Sequence, residues 1–260
     1  MSRYAAMFGR LNGDEGAFGV FLMLGDPDLQ TCARLLDSVV EGGADMVEVG
    51  LPFSDPVADG PVIQAAAQRA LSSGVRVSDC FALLAGFRAR HPAVPVGILT
   101  YANIVLARGS FMRDAADAGV DSLLIADAPS LEVEPFARAM KQAGIEPVLI
   151  AAANTPAATL GRIAHLSQAY TYCVSRAGIT GMHSGGEFDP GLVERVKQAG
   201  APAPIFGFGI ATPDHVRAAL HAGAAGVICG SAIVARAAAG EDIRPFVASL
   251  KAATRNDSPA

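Results

Sequence analysis

Nowhere in this 260-residue chain do about 18 apolar residues run together, the length a single membrane-crossing helix needs. Met1 to Gly16 mixes charged with apolar residues and holds no long apolar core, which predicts no signal peptide. Cysteine is sparse. Cys32, Cys80, Cys173 and Cys229 stand far apart, without a C-x-x-C pair or a histidine at ligand spacing, so neither a zinc site nor a disulfide framework is signalled. Reduced, mostly buried thiols and a cytoplasmic protein are expected, with no metal. The five histidines, His91, His165, His183, His215 and His221, fall mostly in predicted helices or loops away from cysteine or carboxylate clusters and read as surface residues. There is no Lys/Arg-rich run, and the net charge is −5, which argues against a nucleic-acid or membrane-surface partner. Charged residues make up only 17% and hydrophobic ones 51%, a balance that excludes disorder and supports a large core.

What is present alternates. Ser2 to Leu11 reads as a short leading helix suited to closing one end of a barrel, with Tyr4, Met7, Phe8 and Leu11 at helical spacing. Strands are predicted at Phe18–Leu24, Asp45–Val49, Pro95–Thr100, Ser122–Ala126, Pro147–Ala151, Ala169–Val174, Pro204–Phe208 and Gly226–Cys229. Helices fall between them: from the Gly25-Asp26-Pro27-Asp28 turn to Val40, at Val62–Ser72, Ser78–Arg90, Gly109–Gly119, Leu131–Gly144, Pro156–Leu166, Pro190–Gly200 and Pro213–Gly223, then as a tail to about Ala253. The helix-to-strand joints share an echo: Gly43-Ala44-Asp45, Gly119-Val120-Asp121, Gly144-Ile145-Glu146, Gly200-Ala201-Pro202 and Gly223-Ala224-Ala225. Glycine there suits a left-handed helix cap. Eight strand-then-helix units imply a parallel sheet with right-handed crossovers, and match an α/β fold of the closed (β/α)8 TIM-barrel type with a short N-terminal helix better than a doubly wound open sheet. No linker or composition break divides the chain, so residues 1–260 are expected to form one domain.

In such a barrel chemistry sits where strands end and βα loops begin. The stretch from Glu48 to Pro61 is the sharpest such end. Period-2 alternation puts Glu48 and Met46 on one face of a buried strand, so desolvation should raise the Glu48 pKa toward a value useful to a general acid. Asp55 and Asp59 follow in a loop stiffened by Pro52, Pro56 and Pro61. The competing reading is a strand-end acid hydrogen-bonded to backbone. Gly178-Ile179-Thr180-Gly181, Gly207-Phe208-Gly209 and Gly230-Ser231 follow the last three strands; glycine loops and a helix N-terminus offer backbone N–H groups to phosphate, against the plainer reading of tight turns. Ser175 to Asp189 has the length of a lid, or of a loop with no function. Phe21, Leu99 and Phe208 lie at or near strand ends, as an apolar wall or as ordinary core.

With these residues in view, the chain resembles the tryptophan synthase alpha subunit along essentially its whole length. The resemblance rests on Glu48 through Pro61 with Ile63-Gln64, Tyr101-Ala102-Asn103, Tyr170-Thr171-Tyr172 with Ser175 through Gly181, Gly207-Phe208-Gly209-Ile210, and Gly230-Ser231-Ala232-Ile233-Val234. It implies retro-aldol cleavage of indole-3-glycerol phosphate to indole and glyceraldehyde 3-phosphate, without a cofactor in this chain. Indole would pass to a beta subunit carrying PLP, within an alpha-beta-beta-alpha heterotetramer. By the family pattern Glu48 protonates the ring carbon that carries the side chain, and Asp59 holds the indole nitrogen. Tyr172 matches the tyrosine beside the glutamate, and Tyr101 a pocket position. Backbone groups of Gly181, Phe208, Gly209, Gly230 and Ser231 would hold phosphate, Thr180 would close the lid onto Asp59, and Asp55, Pro56, Asn103 and Pro129 would meet the beta subunit.

Three departures from the family stand out. Met23 replaces a usual threonine, Ala153-Asn154 replaces a common proline-containing pair, and the loop after Gly181 lacks a usual Leu-Pro. They bear on first-strand packing, the lid and activation by a beta chain, and remove no proposed catalytic group. A stand-alone indole-releasing lyase, a weakly catalytic regulatory subunit that activates a beta chain, and another phosphosugar-handling barrel are the alternative readings.

Overall fold

The computed structural model describes residues 1–11, 13, 15–174 and 188–255. Helix α1 (Arg3–Leu11) leads into β1 (Ala17–Met23), α2 (Leu29–Glu41), β2 (Met46–Gly50), α3 (Pro61–Ser72), α4 (Val77–Arg90) and β3 (Val96–Thr100). Next come α5 (Ala102–Leu106), α6 (Phe111–Asp117), β4 (Ser122–Ile125), α7 (Glu134–Gln142), β5 (Glu146–Pro147), β6 (Leu149–Ala152) and α8 (Ala157–Leu166). The chain continues through β7 (Thr171–Val174), α9 (Pro190–Gln198), β8 (Pro204–Phe206), α10 (Pro213–His221), β9 (Gly226–Cys229), α11 (Ser231–Ala238) and α12 (Arg244–Ala252). Among the described residues no single helix is long and apolar enough to cross a membrane.

All the strands are parallel, in the order β5-β4-β3-β2-β1-β9-β8-β7-β6. The two ends of that order are one stretch of chain. β5 pairs with β4 and β6 pairs with β7, so residues 146–152 close the sheet into a barrel. The single strand expected at Pro147–Ala151 is divided because Pro147 has no N–H to give, and the Val148 N–H turns back to the Leu123 carbonyl at 3.0 Å. An open doubly wound sheet is thereby ruled out. The other difference from expectation is α5, a five-residue helix directly after β3, too short for a periodic signal.

Two apolar layers result. One lies between the strands and the outer helices, built on residues such as Val20, Leu36, Val49, Leu84, Phe87 and Phe206. The other fills the barrel and includes Tyr4, Met7 and Leu11 of α1 with Phe21, Met46, Leu124, Tyr170, Tyr172 and Ile228. Helix α1 therefore plugs the N-terminal end. All five echoed joint glycines take positive φ, from 72° at Gly200 to 97° at Gly43, which ends each helix in a left-handed turn.

The aspartates after two of those glycines hold the plug. Asp45 accepts from the Phe18 N–H (2.9 Å), from Arg10 (2.7 Å) and from Lys251 (2.7 Å). Asp121 accepts from the Val96 N–H (2.8 Å), Arg3 (2.7 Å) and Arg88 (2.7 Å). Arg88 also grips the carbonyls of Gly119, His91, Pro92 and Val94. His91 is not the isolated surface histidine expected: its Nε2 lies 2.8 Å from Asp37 Oδ1. Cys32, Cys80, Cys173 and Cys229 are all free and buried, and burial pushes the Cys32 thiol up to about 11.

Breaking a buried charge pair costs far more than breaking an exposed one, because the surviving partner stays desolvated. Asp121→Ala is expected to lower unfolding stability by about 3 kcal/mol in a urea titration, since it strands Arg88 and the Val96 N–H. Arg3→Ala, removing a half-exposed partner, should cost about 1 kcal/mol or less.

Candidate active site

Glu48 is the middle residue of β2, facing the barrel interior with 2% of its surface exposed. Its Oε1 accepts a 2.7 Å hydrogen bond from the Tyr170 hydroxyl. Its Oε2 is one of three buried side-chain atoms without a partner among the described residues. Burial pushes the carboxyl up to about 7, and the Tyr170 bond opposes that rise only in part. The raised value expected from the strand pattern is therefore found, and the plain reading of a backbone-satisfied acid is not.

Register explains the space around it. Glu48 pairs with Phe21 on one side and Gly97 on the other, and Gly97 pairs with Ser122. A Cβ on Gly97 would lie 2.7 Å from Ser122 Oγ and 3.0 Å from the Tyr4 hydroxyl, so glycine is required for these groups to gather beside the acid. Tyr4 shares a 2.8 Å hydrogen bond with Ser122 and packs its ring 5.6 Å from that of Tyr170. The plug helix thus reaches the floor of the Glu48 chamber.

Asp59 lies in the loop between β2 and α3 and is also buried. The Tyr101 hydroxyl donates to its Oδ2 at 2.9 Å while accepting from the Ala58 N–H at 3.2 Å, and Gln64 donates to the Asp59 carbonyl at 2.8 Å. Burial raises this carboxyl and the Tyr101 bond draws it down. Tyr101, expected as a pocket residue, is buried and holds Asp59 through its hydroxyl.

Tyr172 sits on β7, two residues after Tyr170 and on the same face. Burial, then the Glu48 and Asp59 carboxylates, push its phenol well above the ordinary tyrosine value. One neutral hydroxyl thereby stands within the field of both acids. Its ring packs edge-on to Phe208 at 5.7 Å, and a Cβ on Gly207 would overlap its hydroxyl. The hydrogen bond to Glu48 comes from Tyr170, which the motif reading names only within the Tyr170-Thr171-Tyr172 stretch and gives no role of its own, although period-2 spacing puts both tyrosines on one face.

Toward the C-terminal ends of the strands, Phe21, Leu99 and Phe208 join the barrel-interior layer as expected. Ala126 and Ile150 join them as half-buried apolar residues; Ile150 had no motif to mark it. Across the mouth, Gly209 has φ of 80° and is exposed, and Gly230 caps α11 with Ser231 as its first residue. The first turn of α11 carries no acidic residue, so no carboxylate of that turn opposes an anion at its N–H groups. Thr180 and Gly181 lie outside the described residues, as does most of the expected lid. Asp55, Asn103 and Pro129 are exposed and Pro56 half-buried, on the segments after β2, β3 and β4, Asn103 within α5.

A hydrogen bond to the charged form of an acid lowers its pKa. Tyr170→Phe is therefore expected to move the Glu48 midpoint upward from about 7 by roughly 1, read by NMR titration of labelled glutamate carboxyls. An unchanged midpoint would show that the 2.7 Å contact carries no weight in solution.

The family model for the tryptophan synthase alpha chain matches residues 9–258. A tryptophan synthase alpha chain from Shewanella amazonensis is 46% identical, with 98% of this chain and 100% of the relative covered. One from Klebsiella pneumoniae is 44% identical, covering 98% and 99%. Among solved structures, a chain from Aquifex aeolicus superposes with a TM-score of 0.91 at 32% identity, covering 98% and 100%. A chain of Mycobacterium tuberculosis tryptophan synthase gives 0.89 at 30% identity, covering 98% of each. Sequence and fold agree along nearly the full length of both partners in these comparisons, and the chain belongs to the tryptophan synthase alpha chain family.

Proposed function

We propose that Glu48 and Asp59 divide the proton chemistry of indole-3-glycerol phosphate cleavage, the carbon–carbon lyase reaction of this family in tryptophan biosynthesis. The observation that carries this reading is Glu48 itself: a buried carboxyl raised to about 7, with one oxygen unpartnered among the described residues. Cleavage begins by protonating the ring carbon that bears the glycerol phosphate, which turns the indole into an electron sink. A carboxyl with a pKa near neutrality can give that proton and then, as carboxylate, take one from the side-chain hydroxyl next to the breaking bond. The carbon–carbon bond electrons return to the ring, leaving indole and glyceraldehyde 3-phosphate. Asp59, steadied by Tyr101 and Gln64, accepts from the indole N–H and stabilises the positive charge that the ring gathers.

Tyr172 stays protonated between the two acids and offers its hydroxyl to the reacting atoms. Phe21, Leu99 and Phe208 pack the ring, joined by Ala126 and Ile150. The phosphate rests on N–H groups of Phe208, Gly209, Gly230 and Ser231 with the Ser231 hydroxyl; Gly181 is assigned there, and Thr180 to lid closure onto Asp59, by family pattern alone. The 260 residues act as one barrel domain in the cytoplasm.

The partner is a beta subunit, which carries the PLP chemistry that consumes indole, in an alpha-beta-beta-alpha assembly. What supports a docking surface is a run of large apolar side chains left in solvent: Val57 is 71% exposed, Leu106 68% and Leu131 72%. They lie on the segments after β2, β3 and β4, neighbours in the sheet, with Leu106 and Asn103 on α5, and with Asp55, Pro56 and Pro129 on the same segments. The Ala102 N–H bonds Asp127 Oδ1 at 2.8 Å, tying two of these loops together.

Glu48→Gln is expected to abolish indole release while phosphate-ligand affinity stays within about twofold, because it removes a proton donor needed only in the transition state. In the wild type, cleavage should fall as pH rises past about 7, where Glu48 loses its proton. Weak release by the chain alone that climbs as a beta subunit is titrated in supports the partnered enzyme, and strong release alone supports a stand-alone lyase. Leu131→Asp should weaken that titration about tenfold or more and leave release by the isolated chain within about twofold, since it places a charge in the contact far from the acids.

A further inference from the structure

We infer that Met23 is a specificity-determining residue that sets the width of the slot above Glu48 and so decides which ring substituents the site admits. The inference rests on the indole-lyase reading and concerns the same pocket. Its observations are steric.

On β2, Gly50 follows Glu48 by two residues and shares its inward face, one step nearer the mouth. In register, Gly50 lies between Met23 of β1 and Leu99 of β3. The row over the acid is therefore methionine, glycine, leucine, with no side chain at its centre. Two groups from β1 lean into that vacancy. A Cβ on Gly50 would stand 2.7 Å from Phe21 Cζ, 2.9 Å from Met23 Cε and 3.1 Å from Met23 Sδ. Contacts that close mean the ring edge and the thioether already occupy the space that a side chain at 50 would claim.

Met23 is 3% exposed and belongs to the barrel-interior layer with Phe21 and Tyr172. Its backbone is pinned where β1 ends: the carbonyl accepts from the Asp26 N–H at 3.3 Å and from the Cys32 thiol at 3.6 Å, and the next N–H, of Leu24, bonds the Gly50 carbonyl at 2.9 Å. The strand end is held, so the slot changes width only through the side chain. An unbranched thioether serves this purpose, since it fills an irregular gap and makes favourable contact with an aromatic face. A planar ring seated over Glu48 meets Met23 on one side and Leu99 on the other. A ring carrying an extra methyl on the Met23 side has to displace the thioether.

The test is condensation of glyceraldehyde 3-phosphate with indole and with indoles methylated at ring positions 4 to 7, compared as kcat/KM ratios to indole. Met23→Ala and Met23→Thr are expected to raise the ratio for at least one methylindole about tenfold or more, the discrimination a single methyl group commands in an apolar pocket. Met23→Leu, which conserves volume, should stay within about threefold of the wild type. Ratios unchanged in both shortened variants, with thermal melts like the wild type, would overturn the inference. Should the alanine variant not fold, the threonine and leucine variants decide it. Failure of the wild type to condense indole at all would overturn the lyase reading itself, and this inference with it, which separates the two outcomes.

Discussion

Placing a carboxyl inside the barrel costs free energy unless the group is neutral, and Glu48 is supplied with too little to make it otherwise. One phenol at 2.7 Å holds one oxygen, and nothing among the described residues holds the other. A second strong donor would have lowered the pKa and left an inert carboxylate, while the absence of any would have removed control over its direction. The value of about 7 is the consequence of that balance. Much of the barrel maintains it: Gly97 clears room for the Tyr4 and Ser122 hydroxyls, Tyr4 backs the Tyr170 ring, and α1 keeps water from the N-terminal end.

The plug, in turn, depends on two aspartates at helix-to-strand joints. Asp45 and Asp121 each take a backbone N–H from a neighbouring strand and an arginine from α1, so the same carboxylates order the sheet and anchor the helix beneath it. They sit at the N-terminal ends of strands, where barrels place stability, and the two acids proposed for catalysis lie farther along β2 and in the loop beyond it. That division lets the βα loops carry reactive and docking groups without supporting the barrel. Asp59 illustrates the consequence: off the sheet, it needs Tyr101 and Gln64 to hold it, whereas Glu48 is oriented by its strand.

The proposed anion binding follows a different economy. A phosphate held by Lys or Arg would place a mobile cation near acids whose pKa values matter, and would lower them. In the proposed phosphate site, the glycines after β8 and before α11 present backbone donors and a helix dipole instead, at positions set by the sheet. Gly207 has a second duty, since only a residue without Cβ lets the Tyr172 hydroxyl lie against that loop. The proposed anion site and the Glu48 chamber thus meet across one tyrosine.

Much of this was legible in the residues alone. Alternating apolar runs and glycine-ended helices specify the strand-then-helix repeat because burial and helix termination are local demands, and the inward Glu48 follows from a period of two. What local pattern does not carry is which side chains meet across the barrel. Tyr170 donates the hydrogen bond to Glu48, Tyr101 holds Asp59, residues 146–152 split to join both edges of the sheet, and Met23 lies over Gly50. Each depends on strand register and barrel closure, which bring together residues as far apart as 48 and 170. The sequence by itself determined the units and the chemistry they carry, since those follow from each residue and its near neighbours; the pairing of that chemistry was decided only when the sheet closed, because contact across a barrel is a property of its register.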